Sequence, residues 1–170
     1  MQRSAAIQSV LTKFGKYVVQ QSKSNLTKGG QNTSKKLYDS IKYEISVSKT
    51  GTRFGMKFFM ESYGEFQDKG VKGKKSTPIS AKGSPYQYRD KMPPASAFGM
   101  WAIKKGLNGV RDKETGKFIK RKSLQYAIAR SIYNHGIPAT KFFSKPFYKA
   151  YNLLPPDILK AFKIDPNDFK

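Results

Sequence analysis

The spacing of apolar residues near the start of the chain predicts a long amphipathic helix. Between residues 3 and 26, apolar side chains recur every three or four positions, which places them on one face of an α-helix. These residues are Ile7, Val10, Leu11, Phe14, Tyr17, Val18 and Leu26. A partner protein or a membrane surface would also suit such a helix. Packing on a sheet of the same protein is the favoured interpretation.

Strict alternation of apolar and polar residues follows this helix in two short segments. Their apolar members are Ile41, Tyr43, Ile45 and Val47 in the first, and Phe54, Met56, Phe58 and Met60 in the second. A polar turn over residues 48–51 separates them. Period-two alternation on both sides of a turn with glycine predicts an antiparallel hairpin with one buried face. We expect the N-terminal helix to lie on that face.

A second helical region is predicted between Leu124 and Phe147. One helix face is shared by Leu124, Ala127, Ile128, Ser131 and Ile132. Ser123 is placed to cap the start of this helix and Gly136 to end it. Pro146 suits the first turn of a following helix, because its missing N–H costs nothing there. This unit of helix, glycine, loop and helix is expected to form the core.

These patterns together predict an α+β fold. A small antiparallel β-sheet, with hairpins near residues 41–60 and 109–120, is expected to pack against the long N-terminal helix and the C-terminal helices. A length of 170 residues fits one domain spanning residues 1–170.

Three further segments are expected within this domain. A long basic loop at residues 70–92 has no periodicity and is interpreted as an arm that orders on assembly. A polar, basic hairpin is inserted at residues 108–122. A C-terminal extension occupies residues 153–170, with a last short helix around Ile158, Leu159 and Phe162.

Positive charge dominates the composition. Lysine and arginine number 33 against 11 acidic residues, which gives a net charge of +22. Such an excess predicts an acidic partner, such as nucleic acid, a membrane surface or an acidic protein, although any single lysine is as readily a solvated surface residue. The candidate contact residues are Lys72, Lys74, Lys75, Lys82, Arg89, Lys91, Arg111, Lys117, Lys120, Arg121 and Lys122.

Few residues suited to catalysis or metal binding are present. One histidine and no cysteine exclude metal sites built from those ligands and thiol chemistry, and we expect no enzyme activity and no cofactor. His135 precedes Gly136, where a side chain commonly meets the last carbonyls of a helix. Glu65 and Asp68 would share one face of a helical turn, either as surface acids or partners for neighbouring lysines or, less favoured, as a metal pair. No run of about 18 apolar residues exists, so no membrane span is expected.

Three segments, in this order, point to a family: Leu37–Ile41 leading into a strand, Tyr63–Gly70 after the hairpin, and Ala127–Tyr133 running on through Gly136 to Phe147. Over residues 1–152 their order and spacing resemble the head-to-tail joining proteins of tailed bacteriophages, also called tail-completion or neck proteins. The chain departs from the usual short form in its basic loop, its inserted hairpin and its C-terminal extension.

The resemblance implies a structural virion protein without catalysis. Such a protein is made in the cytoplasm of the bacterial host and forms a homo-oligomeric ring, of six or twelve copies, at the head-to-tail junction. Its partners would be the portal or adaptor, the tail proteins and the viral DNA that passes through the channel, and no membrane. The basic candidates would face DNA or acidic protein surfaces. Aromatic candidates for the core or a subunit interface are Tyr63, Phe66, Phe142, Phe143, Phe147 and Tyr151.

Two other functions remain open at this point. A nonspecific basic nucleic-acid-binding protein is favoured by the charge, but the sequence has no recognised binding motif or evident aromatic platform. A small metal-dependent nuclease, which would use Glu65 and Asp68, is the third interpretation.

Overall fold

A computed structural model describes residues 2–48, 54–107, 109–156 and 158, with side chains from residue 5 onwards. The fold is α+β, as predicted. Its helices are α1 (Gln2–Lys28), α2 (Lys36–Ser40), α3 (Gly64–Lys69), α4 (Gly99–Lys104), α5 (Arg121–His135) and α6 (Ser144–Tyr151), with 3₁₀ helices at Ile79–Ala81 and Ala95–Phe98. Its strands are β1 (Lys42–Val47), β2 (Phe54–Phe59), β3 (Val71–Lys72) and β4 (Gly136–Ile137). Among the described helices, none is both long enough and apolar enough to cross a membrane.

The chain forms two compact units. A terminal unit combines residues 1–61 with residues 142–170, and a central unit consists of residues 62–141. The helical region predicted as one core is therefore divided, since α5 belongs to the central unit and α6 to the terminal unit. That the chain forms a single domain stays a prediction.

Strands β1 and β2 of the terminal unit form the first predicted hairpin. They pair antiparallel, with Tyr43 opposite Phe58 and Ile45 opposite Met56. Helix α1 lies on this hairpin, as predicted, and approaches it closely at Gly15. A Cβ atom at Gly15 would come within 2.6 Å of the Tyr43 ring, so only glycine lets the helix backbone lie this near. Most of the predicted turn, from residue 49, lies outside the described residues.

Phenylalanine side chains from three elements form the centre of the terminal unit. Phe14 of α1 lies 6.1 Å from Phe58 of β2 and 5.6 Å from Phe147 of α6, measured between ring centroids. Both contacts are edge-to-face, an arrangement in which the positive edge of one ring meets the negative face of another. Within the predicted apolar stripe of α1, Leu11 and Val18 are also fully buried. The stripe is therefore confirmed as the packing face.

Part of the C-terminal extension also packs in the terminal unit. Ile158 is 6% exposed and forms a cluster with Leu11 and Phe54. The other two residues of the predicted last helix, Leu159 and Phe162, lie outside the described residues.

A second sheet, in the central unit, was not predicted. Strand β3 pairs antiparallel with β4, with Val71 opposite Ile137 and Lys72 opposite Gly136. Each strand has two residues, too few to show the alternation on which strand prediction depends. Gly136 has a φ of 79°, and a Cβ atom there would lie 2.6 Å from the main-chain nitrogen of Gly73. The chain can turn from α5 into β4 here because residue 136 is glycine.

The second predicted hairpin is present as a turn closed by a single bridge. Arg111 and Phe118 pair antiparallel, and the main-chain N–H of Asp112 donates to the oxygen of Lys117 at 2.9 Å. Residue 108 lies outside the described residues.

Helix α5 differs from its prediction at its start and in its buried face. It begins at Arg121 after Lys120, whose side chain makes no capping hydrogen bond, so the predicted Ser123 cap is wrong. Gly136 ends the helix as predicted. The buried residue is Ala129, whereas Ala127 and Ser131 of the predicted face are exposed. Short elements, α4 and the 3₁₀ helix Ala95–Phe98, pack against α5 and cover only part of its surface.

The basic segment at residues 70–92, interpreted from the sequence as an arm that orders on assembly, contains regular structure within the central unit. It contains β3, one 3₁₀ helix and a parallel bridge between Lys72 and Gln87. Ala81 and Ser84 are buried, and the Ser84 hydroxyl donates to the oxygen of Gly70 at 2.6 Å. The segment packs through single small residues instead of a periodic face, which is why its sequence resembles an unstructured loop.

Candidate functional site

Two of the segments that carry the family resemblance meet in the central unit. The main-chain N–H of Thr140 donates to the oxygen of Gln67, and that of Lys141 donates to the oxygen of Asp68, both at 3.0 Å. Gln67 and Asp68 lie in the last turn of α3, where carbonyl oxygens have no partner within the helix. The residues after β4 therefore close the end of α3, and residues 63–70 and 136–141 form one hydrogen-bonded site.

The basic segment closes the end of α5 in a similar way. The main-chain N–H of Lys74 donates to the oxygen of Tyr133 at 2.9 Å, and those of Lys75 and Ser76 donate to the oxygen of Asn134 at 2.9 and 3.0 Å. The ammonium group of Lys74 lies 5.4 Å from the centroid of the Tyr133 ring. A hydrogen bond with Tyr133 raises the pKa of Lys74, so this lysine keeps its charge.

An open cleft with a volume of about 460 Å³ lies in the central unit. Its walls are aromatic and aliphatic, apart from two glutamine side chains. The lining residues are Tyr63, Phe66, Gln67, Val71, Tyr86, Gln87, Tyr88 and Ile137. We call it the aromatic cleft.

Two tyrosines of the aromatic cleft, Tyr86 and Tyr88, make ring contacts, and Tyr86 also makes a side-chain hydrogen bond. The Phe66 and Tyr86 rings meet edge-to-face with centroids 4.6 Å apart, and the Tyr88 ring lies 6.1 Å from Tyr133. The Tyr86 hydroxyl donates to the carboxylate of Glu65, and this hydrogen bond raises the pKa of Tyr86. Burial raises the pKa of Tyr88. Both phenols are therefore neutral at physiological pH.

Gln67 has an unsatisfied side chain in the wall of the aromatic cleft. Its main-chain oxygen accepts hydrogen bonds from the N–H and the hydroxyl of Thr140, at 3.0 and 2.9 Å. Its side-chain oxygen Oε1 is buried and has no hydrogen-bond partner within the described part of the chain. A buried acceptor without a donor costs about 1–3 kcal/mol of stability.

The basic candidate residues fall into two groups in the central unit, and all except the half-buried Lys72 are exposed. The first group lies in the basic segment and consists of Lys72, Lys74, Lys75, Lys82, Arg89 and Lys91. The second lies on the hairpin and at the start of α5 and consists of Arg111, Lys117, Lys120, Arg121 and Lys122.

The hairpin presents an aromatic ring beside a cation. The Arg111 guanidinium lies 4.3 Å from the centroid of Phe118, which is 64% exposed. The Oδ1 atom of Asp112 fixes the turn by accepting hydrogen bonds from the N–H and hydroxyl of Thr115, at 2.8 and 2.9 Å, and from the N–H of Glu114 at 3.1 Å. The bond from the Thr115 N–H is the main cause that lowers the pKa of Asp112.

Cations also surround the first turn of α5. Lys120, Arg121 and Lys122 lie there, and this turn has no acidic residue. Positive charge at a helix N-terminus is unfavourable, because the aligned peptide dipoles already place partial positive charge there. The second basic group therefore carries repulsion that a nearby anion would relieve.

The aromatic candidates do not form one surface. Phe142, Phe143 and Phe147 are buried in the terminal unit, where the Tyr151 ring stacks on Phe147 with centroids 6.1 Å apart. Tyr63 and Phe66, in contrast, line the aromatic cleft of the central unit.

Residues of the type used in catalysis have structural contacts. The Nδ1 atom of His135 lies 3.0 Å from the oxygen of Ser131, one turn earlier in α5, which is the helix-end role predicted for it. Glu65 accepts the hydroxyl of Tyr86, and Asp68 is 4% exposed. Within the described ranges, no three histidine, cysteine or acidic residues are placed to hold a metal ion.

Of the eight residues that line the aromatic cleft, the sequence singled out Tyr63 and Phe66 as candidates, and the other six were missed. Tyr86, Gln87 and Tyr88 lie in the segment interpreted as an arm, yet Tyr86 and Tyr88 point two aromatic rings into the cleft. The available signal was the alternation of tyrosine with glutamine directly after Pro85, a pattern typical of an extended segment.

Comparisons with known proteins give no relative for this chain. No protein-family model, no curated protein and no solved structure matches it.

Proposed function

We propose that this chain is a structural protein of a phage neck, which assembles as a ring between the portal or adaptor and the tail and joins head to tail around the DNA channel. The observation that supports this proposal is the hydrogen-bonded site formed by residues 63–70 and 136–141. These residues come from two of the three segments that resemble neck proteins, although more than 60 residues separate them. Hydrogen bonds therefore bring two of the segments that carry the resemblance into contact.

In such a ring, the two exposed basic groups would contact the phosphates of DNA in the channel. Phosphate contacts made by lysine and arginine are independent of sequence and weaken as salt rises. A lumen lined in this way would hold the DNA end loosely and still let it leave. The same residues would also suit acidic surfaces on the portal or tail proteins.

The test is the copy number of the protein in purified particles, measured by quantitative mass spectrometry with the portal protein as the reference. Six or twelve copies are expected, because a closed ring has a fixed symmetry. Absence from particles, or hundreds of copies, would overturn the proposal.

Nonspecific binding of nucleic acid is the second candidate function. The hairpin supports it, since Arg111, Phe118 and the cations at the start of α5 are exposed together with no acidic residue in the first turn of that helix. A dedicated binder should hold duplex DNA at moderate salt with a steep salt dependence. A neck protein should instead need its protein partners to form a stable assembly.

A metal-dependent nuclease is the third candidate function. The two acidic residues that it would use, Glu65 and Asp68, have different surroundings. Asp68 is buried, whereas Glu65 is exposed and accepts the Tyr86 hydroxyl. Magnesium-dependent cleavage of supercoiled plasmid that disappears in Glu65→Gln would favour this function over the other two.

A further inference from the structure

The aromatic cleft has the features of a binding site for a flat, polar ring. Four of its lining residues are aromatic, and Phe66 is 42% exposed although its ring meets that of Tyr86 edge-to-face. A large aromatic ring this exposed offers a face on which another ring can stack. Stacking on aromatic side chains is how proteins bind unpaired bases, because every base has a π-face.

Gln67 gives the cleft wall a hydrogen-bond acceptor, its buried side-chain oxygen. This Oε1 atom lacks a donor within the described residues, and Gln67 is one of the residues that line the cleft. An occupant with an N–H group on its edge would remove the cost of the unsatisfied acceptor. Each unpaired nucleobase carries such a donor on its Watson–Crick edge, whereas in a duplex that donor is already used.

Charge around the cleft suits a polyanion. Residues 69–91, which supply four of the lining residues, carry seven basic side chains and one acidic side chain. Lys69 lies 6.0 Å from the centroid of Tyr86, and Lys72 is bridged to Gln87 in the cleft wall. Lys69 therefore brings an ammonium group to the Tyr86 ring, where it could meet a phosphate next to a stacked base. A proline-rich peptide would fit the rings but would use neither the cations nor the Gln67 acceptor.

From these observations we infer that the aromatic cleft binds an unpaired base of single-stranded nucleic acid, with the base stacked on Phe66 and its edge donating to Gln67. This inference is independent of the neck function. The cleft lies within the central unit of a single chain, so binding there does not require an oligomeric ring.

The test measures binding of the full chain to fluorescently labelled 12-nucleotide strands by anisotropy. Oligothymidine is compared with an abasic strand of the same phosphate count. Wild-type protein is expected to prefer oligothymidine about tenfold, and Phe66→Ala should lose that preference while its affinity for the abasic strand is unchanged. The matched control is Tyr126→Ala, which removes a 52% exposed ring on α5 and should leave the preference intact.

A second comparison isolates Gln67. Methylation of thymine at N3 removes the donor, so wild-type protein is expected to bind the methylated strand about fivefold more weakly than oligothymidine. Gln67→Met keeps the size of the side chain but not the acceptor, and it should bind both strands equally. Equal wild-type affinity for oligothymidine and the abasic strand would overturn the inference. So would binding of a proline-rich peptide that oligothymidine does not displace.

Discussion

Gly73 lies against the main chain of Asn134 in the last turn of α5. A Cβ atom at residue 73 would be 2.5 Å from the main-chain nitrogen of Gly136 and closer still to the oxygen of Asn134. Main-chain atoms cannot move aside as a flexible side chain can. The basic segment can therefore close α5 only because residue 73 has no side chain.

Gly73→Ala is expected to destabilise the protein by about 1–3 kcal/mol, the usual cost of overpacking. Gly83→Ala is the matched control, because nothing lies within 4 Å of a Cβ atom there. Its stability should stay within about 0.5 kcal/mol of wild type. Urea denaturation of both variants measures the difference, and equal midpoints would contradict the close approach of Gly73 to α5.

Phe147→Ala is expected to cost roughly 3–5 kcal/mol, as large-to-small changes in a core do. Phe147 is 3% exposed, and its ring contacts Phe14, Phe58 and Phe143. Leu153, which is 77% exposed in the same unit, provides the control. Thermal unfolding should show a large loss of stability for Phe147→Ala and almost none for Leu153→Ala.

The hairpin turn should depend on the carboxylate of Asp112. Asp112→Ala removes all three hydrogen bonds to Oδ1, whereas Asp112→Asn keeps an oxygen acceptor. Tryptic cleavage at Lys113 and Lys117 should therefore become faster in Asp112→Ala and change less in Asp112→Asn. Equal cleavage rates in wild type and Asp112→Ala would show that the turn is held by other contacts.

The Asp112 carboxylate also makes the stability of the hairpin turn depend on pH. The folded-state pKa of Asp112 is lowered, so its stabilisation is fully present above the unfolded value of about 3.9. That stabilisation is lost as the pH falls through the lower, folded-state pKa. Amide exchange at Thr115, measured by NMR, should follow this profile in wild type and lose it in Asp112→Asn.

Cations at the start of α5 should lower the stability of the helix and raise its affinity for DNA. Arg121→Gln with Lys122→Gln is expected to raise thermal stability slightly, because it removes positive charge from a helix N-terminus. The slope of log affinity for duplex DNA against log salt should become shallower by about 0.9 for each phosphate that the variant no longer neutralises. Lys13→Gln with Lys16→Gln, at exposed positions of α1, removes equal charge and should leave that slope unchanged.

The terminal unit could be predicted in outline because its elements bury periodic faces. Phe14 and Val18 repeat at helical spacing, and Tyr43 and Ile45 alternate as a half-buried strand requires. The central unit has less of this regularity. Strands β3 and β4 are too short to alternate, and α5 is covered in part by short elements, so neither Ser123 nor Ala127 has its predicted role.

The aromatic cleft could not be assembled from the sequence for a related reason. Its residues come from α3 and the residue before it, from β3, from the segment around Tyr86 and from β4. Main-chain hydrogen bonds, such as that from Thr140 to Gln67, bring these elements together. Main-chain contacts leave little trace in residue type apart from glycine. The basic candidates were predictable as exposed because lysine and arginine are rarely removed from water.

The contact between Phe14 and Phe147 joins residues made at very different times during synthesis. The central unit is continuous in sequence, whereas the terminal unit combines the two ends of the chain. The core of the terminal unit must wait until α6 has followed the whole central unit out of the ribosome, and it must then close a long intervening loop. Until then the part of the α1 stripe that packs against α6 stays exposed, so the newly made chain needs protection from aggregation there.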